Sequence, residues 1–191
     1  MKDVMTVFTP ANLLTLSRMG LVPVFALCML YGHFGWALVT FMVAGATDLL
    51  DGLIARWTRQ QTTLGAWLDP MADKLLLLTM FVMLTLPDLG LAYRLPLWLT
   101  VLVISRDVAI VLTAAVINLA VARRTFKPSL FGKAATGIYI LTGVVALYAN
   151  YGGVPAGALD ALVYLCLAIT LVSAVDYLRR VMRFPSDSRA A

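Results

Sequence analysis

Apolar residues fill six long stretches of the chain, and short polar breaks separate them. The apolar stretches cover residues 12–31, 35–56, 66–86, 95–120, 131–150 and 157–178. Each is close to the roughly 20 residues that an α-helix needs to cross the hydrocarbon core of a bilayer. Breaks such as "YGHFG" and "NYGGVPAG" are rich in turn-forming residues and short enough to join antiparallel neighbours. The pattern predicts an all-α integral membrane protein with six transmembrane helices in one bundle.

Basic residues are concentrated at one set of predicted helix ends, and the opposite ends carry only Arg94. Because Lys and Arg are enriched in cytoplasmic loops, this asymmetry predicts that both termini are cytoplasmic. The same enrichment explains the net charge of +5. The sequence lacks a basic patch with interleaved aromatic residues, which is the pattern that would indicate a nucleic-acid partner. We therefore expect a multi-pass protein of the cytoplasmic membrane that binds membrane lipid and no nucleic acid.

Composition leaves little room for anything besides the bundle. The chain has 191 residues, of which 61% are hydrophobic and 13% charged. Six membrane spans use nearly all of this length. We predict one membrane domain over residues 1–183 and a disordered cytoplasmic tail over residues 184–191.

The acidic residues are concentrated at the ends of two apolar stretches. All ten are Asp, and four of them fall within 26 residues. These four are Asp48, Asp51, Asp69 and Asp73. An ionisable side chain within a membrane span costs about 3 kcal/mol or more unless it is paired, hydrated or bound to metal, so these residues are functional candidates. Asp69 also has a structural interpretation, because Asp followed by Pro70 resembles a helix N-cap.

Four carboxylates from two helices would form an oxygen-rich site at the cytoplasmic side. Such ligands suit Mg²⁺ or Mn²⁺, and two divalent cations would neutralise the cluster. Magnesium commonly shares its coordination with substrate phosphates, which predicts a di- or polyphosphate ligand. Gly52 and Gly65 would let the backbone approach a nucleotide, and Arg56 is suitably placed to bind a phosphate.

The same residues match a longer motif at fixed spacing. In order, the motif reads Asp48-x-x-Asp51-Gly52-x-x-Ala55-Arg56, then eight residues, then Gly65-x-x-x-Asp69-x-x-x-Asp73. It resembles the signature of the CDP-alcohol phosphatidyltransferases, and its extent over 26 residues makes the match specific. The segments "NLLTLSR", "DPMADK", "ISRD" and "KPSLFGK" extend the resemblance over most of the predicted membrane core.

The resemblance implies a six-helix enzyme, usually a homodimer, that transfers a phosphatidyl group from CDP-diacylglycerol to an alcohol and releases CMP. It also implies a site with two divalent cations, Mg²⁺ or Mn²⁺. Carried over by position, the metal ligands are Asp48, Asp51, Asp69 and Asp73, and the CDP-binding residues are Gly52, Ala55, Arg56 and Gly65. Asp73 is further implied to be the catalytic base that takes the proton of the acceptor hydroxyl.

The shared signature does not choose the acceptor alcohol. Flanking segments such as "KPSLFGKAAT" look like those of CMP-forming cardiolipin synthases, whose acceptor is phosphatidylglycerol. Phosphatidylglycerophosphate synthases share the metal motif, so glycerol 3-phosphate is the alternative acceptor. Both acceptors carry a phosphate, and the candidate contacts are Arg106, Lys127 and Lys133. For Arg106 the competing interpretation is an ion pair with Asp107 or another buried Asp, and for Lys127 it is a basic cytoplasmic loop.

An ion transporter with intramembrane carboxylates is an alternative class of protein. Transport would need acidic residues or broken helices near the middle of the membrane, together with repeat symmetry. The four aspartates lie at cytoplasmic ends of the predicted spans, and the sequence has no internal repeat. The sequence therefore favours a phosphatidyltransferase.

Overall fold

The chain folds into long α-helices. The computed structural model describes the main chain over residues 10–58, 63–120, 130–153 and 156–182, and the side chains over 14–48, 71–72, 74–113, 130–153 and 157–179. The helices are α1 (Pro10–Leu30), α2 (Phe34–Thr58), α3 (Thr63–Thr85), α4 (Leu97–Ala120), α5 (Leu130–Gly152) and α6 (Ala156–Met182). A 3₁₀ turn covers Pro87–Leu89, and the described main chain contains no strand. The six predicted helices are confirmed, with each end within four residues of its predicted position.

A tight turn reverses the chain between α1 and α2. Gly32 has a positive φ of 74°. Its N–H donates to the carbonyl of Met29 at 3.1 Å, and the N–H of His33 donates to the carbonyl of Cys28 at 2.8 Å. These two hydrogen bonds form a Schellman motif, which ends α1. The motif requires one residue in the left-handed conformation, and glycine adopts that conformation with the least strain. The turn lets α2 fold back along α1.

The first of two compact units comprises Met1–Arg94 and Gly143–Val154. Within it, α1 packs against both α2 and α3. Ala37, Phe41 and Ala44 are buried and share one face of α2, because they are four and then three residues apart. The two alanines allow close approach of a neighbouring helix. Phe41 meets Phe25 of α1 with the ring centroids 6.0 Å apart. In this unit α1 is thus the common neighbour of the two helices that carry the acidic motif.

The second compact unit comprises Leu95–Thr142 and Pro155–Ala191, and in it α4 packs against α6. Polar side chains recur on one face of α6 at helical spacing: Cys166, Thr170, Ser173 and Tyr177. The Thr170 hydroxyl lies 2.6 Å from the Tyr139 hydroxyl. The Cys166 sulfur lies 3.0 Å from the Thr142 hydroxyl. Buried polar groups are therefore paired with one another, as an apolar environment requires.

Large apolar side chains are exposed along all six helices, whereas several polar ones are buried. Leu27 and Leu112 are more than half exposed, while Thr15, Arg18 and Thr142 are almost fully buried. Exposed apolar side chains on every helix, beside a core that includes polar ones, suit contact with lipid. The segments Leu130–Gly152 and Gly157–Arg179 are long and apolar enough to cross a membrane, with mean hydropathies of 1.6 and 2.2.

The all-helical fold class agrees with the sequence prediction, and two of the described helices are long and apolar enough to span a membrane. The six-span arrangement, the orientation of the termini and the single domain over residues 1–183 stay predictions. The predicted tail over residues 184–191 lies outside the described residues.

Candidate active site

The acidic motif lies on α2 and α3. Asp48 and Asp51 belong to α2, and Asp69 and Asp73 belong to α3. Residues three or four apart share a face of an α-helix, so the two aspartate positions of each helix lie on the same face. Because α3 begins at Thr63, Asp69 lies within the helix, and its interpretation as an N-cap is wrong.

Asp48 forms an ion pair with Arg18 of α1. The Arg18 Nη1 atom lies 2.7 Å from the Asp48 Oδ1 atom. The Arg18 side chain is completely buried, whereas 43% of the Asp48 side chain is exposed. The pair offsets one negative charge of the acidic motif and leaves part of the carboxylate accessible to a ligand.

The pair follows the antiparallel register of α1 and α2. Arg18 and Phe25 are seven residues apart on α1, and their partners Asp48 and Phe41 are seven residues apart on α2. Positions seven apart lie on the same face of a helix. The Phe25–Phe41 contact and the Arg18–Asp48 pair are therefore two points of one helix–helix interface, and α1 fixes the side of α2 on which Asp48 lies.

The donor chemistry of the motif fits a hard divalent cation, since all four predicted ligands are carboxylates. The side chains of Asp51, Asp69 and Asp73 lie outside the described residues. Among the side chains that the structure does describe, no three His, Cys, Asp or Glu residues lie together. The four-aspartate metal site therefore stays a prediction, and Asp48 is the predicted ligand whose side chain the structure describes.

The predicted CDP-binding residues lie on the same two helices. Gly52, Ala55 and Arg56 belong to α2, within eight residues after Asp48. Gly65 is the third residue of α3. It therefore lies in the first helical turn, where main-chain N–H groups have no partner within the helix. The side chains of Ala55 and Arg56 lie outside the described residues.

Arg106, a predicted acceptor contact on α4, is held by two side chains in the second unit. Its Nη1 donates to the Asp107 carboxylate at 2.7 Å, and its Nη2 donates to the Ser173 hydroxyl at 2.5 Å. Only 8% of its side chain is exposed. The ion pair with Asp107 is thus confirmed, while a role in acceptor binding stays a prediction.

The other two predicted acceptor contacts are less defined. Lys133 lies in the first turn of α5 and is exposed, and Lys127 lies outside the described residues.

Comparison with known proteins identifies the family. A family model described as CDP-alcohol phosphatidyltransferase matches residues 8–175. The chain belongs to this family. The matched region includes the whole acidic motif and Arg18. Membership confirms the resemblance drawn from the motif and favours phosphatidyl transfer over ion transport.

Named relatives of this phosphatidyltransferase family member fall into two groups. "Cardiolipin synthase (CMP-forming)" of Rattus norvegicus is 34% identical over 187 residues, which cover 89% of this chain and 60% of that protein. The protein of the same name from Homo sapiens is 45% identical over 105 residues, covering 54% of this chain and 33% of that protein. "Probable phosphatidylglycerophosphate synthase" of Mycobacterium tuberculosis (strain ATCC 25618 / H37Rv) is 34% identical over 189 residues, covering 91% and 81%. The chain spans less than two thirds of the length of either cardiolipin synthase.

A cavity beside the first residues of α2 lies far from Asp48. It has a volume of about 640 Å³, and its lining includes Gly32, His33, Trp36 and Tyr151. His33 and Asp48 are separated by fifteen residues, or about 22 Å at 1.5 Å per helical residue. This cavity therefore belongs to the opposite end of α2 and not to the acidic motif.

Two polar contacts made by predicted site residues, one in each unit, were not foreseen from the sequence. The Arg18–Asp48 pair had a signal in the equal spacing of both residues from the "YGHFG" turn. The Ser173 contact to Arg106 had a signal in the helical spacing of the polar residues on α6. In both cases the sequence indicated which side chains share a helix face, but not which neighbouring helix that face contacts.

Proposed function

We propose that the chain is a CDP-diacylglycerol-dependent phosphatidyltransferase that converts phosphatidylglycerol to cardiolipin and releases CMP. The observation that carries this proposal is the complete motif from Asp48 to Asp73 on α2 and α3, in a chain that belongs to the family. Cardiolipin is favoured as the product because the flanking segments resemble those of cardiolipin synthases, and two relatives bear that name.

The proposed enzyme crosses the cytoplasmic membrane six times, with both termini and the active site facing the cytoplasm. Exposed apolar side chains on all six helices support the membrane placement. The concentration of basic residues at one set of helix ends supports the orientation. We include in the proposal a single membrane domain over residues 1–183, a cytoplasmic tail over 184–191, and a homodimer, as the family resemblance implies.

Two divalent cations, Mg²⁺ or Mn²⁺, would supply positive charge that neutralises the diphosphate and the departing CMP. The residues proposed to hold them are Asp48, Asp51, Asp69 and Asp73. Asp48 suits this role because its carboxylate is part of the motif and 43% exposed. Asp48 is the fifteenth of the 25 residues of α2, in the half that ends at Thr58, so the headgroup reaction would take place towards that side of the membrane while the acyl chains stay in lipid.

The nucleotide half of the substrate is assigned to Gly52, Ala55, Arg56 and Gly65. Arg56 would bind a phosphate, and Gly65 would present the N–H groups of the first turn of α3. As the acceptor oxygen bonds to the phosphatidyl phosphorus and the bond to CMP breaks, Asp73 would accept the hydroxyl proton. A carboxylate is a weak base at neutral pH, so this proton moves as the new phosphorus–oxygen bond forms.

The acceptor phosphate is assigned to Arg106, Lys127 and Lys133, which supply positive charge in the second half of the chain. Glycerol 3-phosphate is the second candidate acceptor, giving phosphatidylglycerophosphate. It is favoured by the relative from Mycobacterium tuberculosis, of which this chain covers 81%.

The test is an acceptor comparison with the purified chain in mixed micelles. CDP-diacylglycerol and Mg²⁺ or Mn²⁺ are incubated with each acceptor in turn, CMP release is measured, and the lipid product is identified by mass. We expect CMP and cardiolipin with phosphatidylglycerol. Turnover with glycerol 3-phosphate alone would refute the cardiolipin assignment, and no CMP with any alcohol would refute the enzyme assignment.

A further inference from the structure

Arg18 brings a positive charge to the acidic motif from a helix that carries none of its aspartates. Its side chain is completely buried, and its Nη1 atom lies 2.7 Å from Asp48. α1, which carries Arg18, packs against both α2 and α3. An element outside the motif thus supplies a fixed cation beside one of the predicted metal ligands.

A buried guanidinium stays charged under all ordinary conditions. Its burial is tolerable only where opposite charge and hydrogen bonds compensate for lost hydration. The four aspartates of the motif fall within 26 residues and repel one another, so a nearby positive charge stabilises them. The Arg18–Asp48 pair meets both needs at once, even when no divalent cation is bound.

We propose that Arg18 acts as a built-in counter-cation at Asp48, which stabilises the metal-free site and weakens the binding of divalent cations to it. The inference rests on the proposed function, because it takes Asp48 to be a metal ligand. Arg18 is a positioning residue in this role, since it acts through Asp48.

The two effects follow from one charge. Before cations bind, the guanidinium attracts the carboxylates and lowers their repulsion. Once cations bind, the guanidinium repels them and also occupies one oxygen of the Asp48 carboxylate. Removing the charge of Arg18 should therefore destabilise the metal-free protein and strengthen cation binding. An ordinary contact between α1 and α2 would produce the first effect only.

The experiment compares the full chain with Arg18→Met and Arg18→Lys. Methionine keeps a long flexible side chain without charge, whereas lysine keeps the charge. Thermal unfolding in detergent is followed with a chelator and over a Mg²⁺ titration, and the half-activating Mg²⁺ concentration is taken from CMP release. For Arg18→Met we expect a lower melting temperature without metal, a larger gain on adding Mg²⁺, and a half-activating concentration about three- to tenfold lower. For Arg18→Lys we expect a half-activating concentration within about twofold of that of the unmodified chain.

The matched control is Phe25→Leu, which weakens the same α1–α2 interface seven residues away without changing charge. It should lower the melting temperature equally with and without Mg²⁺ and leave the half-activating concentration unchanged. The inference is overturned if Arg18→Met behaves like this control, if its half-activating concentration rises, or if it stays unfolded at every Mg²⁺ concentration. If the unmodified chain responds to neither Mg²⁺ nor Mn²⁺ in melting or turnover, the proposed metal site fails and this inference fails with it.

Discussion

Asn150 ties the main chain of Tyr93 to α5 through two hydrogen bonds within the first unit. Its Oδ1 accepts from the Tyr93 N–H at 3.0 Å, and its Nδ2 donates to the Tyr93 carbonyl at 2.9 Å. One side chain thus satisfies both main-chain polar groups of a residue outside any helix. We predict that Asn150→Leu lowers the free energy of unfolding by about 2–3 kcal/mol.

The magnitude follows from the two bonds that the substitution removes. A hydrogen bond contributes about 1–1.5 kcal/mol net, and a stranded group that cannot regain water costs up to about 3 kcal/mol. Asn150 and Tyr93 are half-buried, so partial rehydration keeps the cost at the lower end. The Nδ2 atom also donates to the Ala146 carbonyl, but that carbonyl is already an acceptor within α5, so its loss adds little.

The assay is equilibrium unfolding in mixed micelles by titration with a denaturing detergent, followed by tryptophan fluorescence. Tyr93→Phe is the matched control, because it removes a hydroxyl at the same place and leaves the main-chain bonds intact. We expect the control to change stability by less than about 0.5 kcal/mol. CMP release by Asn150→Leu should equal that of the unmodified chain below its unfolding transition, because Asn150 lines the cavity at the end of α2 opposite Asp48. If Asn150→Leu lowers the free energy of unfolding no more than Tyr93→Phe does, the two hydrogen bonds to the Tyr93 main chain do not stabilise the fold.

Three further predictions concern the site and its packing. Asp48→Asn should abolish CMP release and lower the free energy of unfolding by about 1–3 kcal/mol, because the buried Arg18 guanidinium loses its charged partner at a position that is partly open to solvent. Asp73→Asn should also abolish CMP release but should melt at the same temperature as the unmodified chain. A Cβ at Gly143 would lie 2.0 Å from the Met80 methyl carbon, so Gly143→Val should cost about 1–3 kcal/mol in unfolding experiments, and a double-mutant cycle with Met80→Ala should show that the two changes are not additive. Arg106→Lys should raise the KM for the acceptor and leave the KM for CDP-diacylglycerol unchanged, and equal changes in both would contradict its assignment to the acceptor phosphate.

The helices could be predicted from the sequence because membrane spans are long and uniformly apolar. The apolar stretch 131–150 predicts α5, which runs over Leu130–Gly152. The end of α1 was also signalled, since "YGHFG" contains the glycine that takes a positive φ. Asp69 was harder, because Asp followed by Pro70 predicts an N-cap. Proline has a φ that suits a helix, and as the eighth residue of α3 Pro70 only leaves the carbonyl four residues earlier without a main-chain donor, so proline does not by itself mark the first turn.

The residues of the acidic motif could be predicted from the sequence, but the positive side chain that pairs with Asp48 could not. Helical spacing puts Asp48 and Asp51 on one face of α2, whatever packs against it. That Arg18 reaches Asp48 depends on the antiparallel register of α1 and α2, which is a property of the folded pair of helices. The same holds for Arg106, whose bond to Ser173 joins residues 67 positions apart. Sequence spacing indicates which side chains share a face, and tertiary packing decides which faces meet.

Phosphatidyl transfer is best tested by measuring CMP and the lipid product together in one reaction of the purified chain with CDP-diacylglycerol and phosphatidylglycerol. We expect this transfer to give equal amounts of CMP and cardiolipin, formed only with a divalent cation and not by Asp73→Asn. CMP released without a phosphatidyl product, or equal turnover by Asp73→Asn, would contradict it.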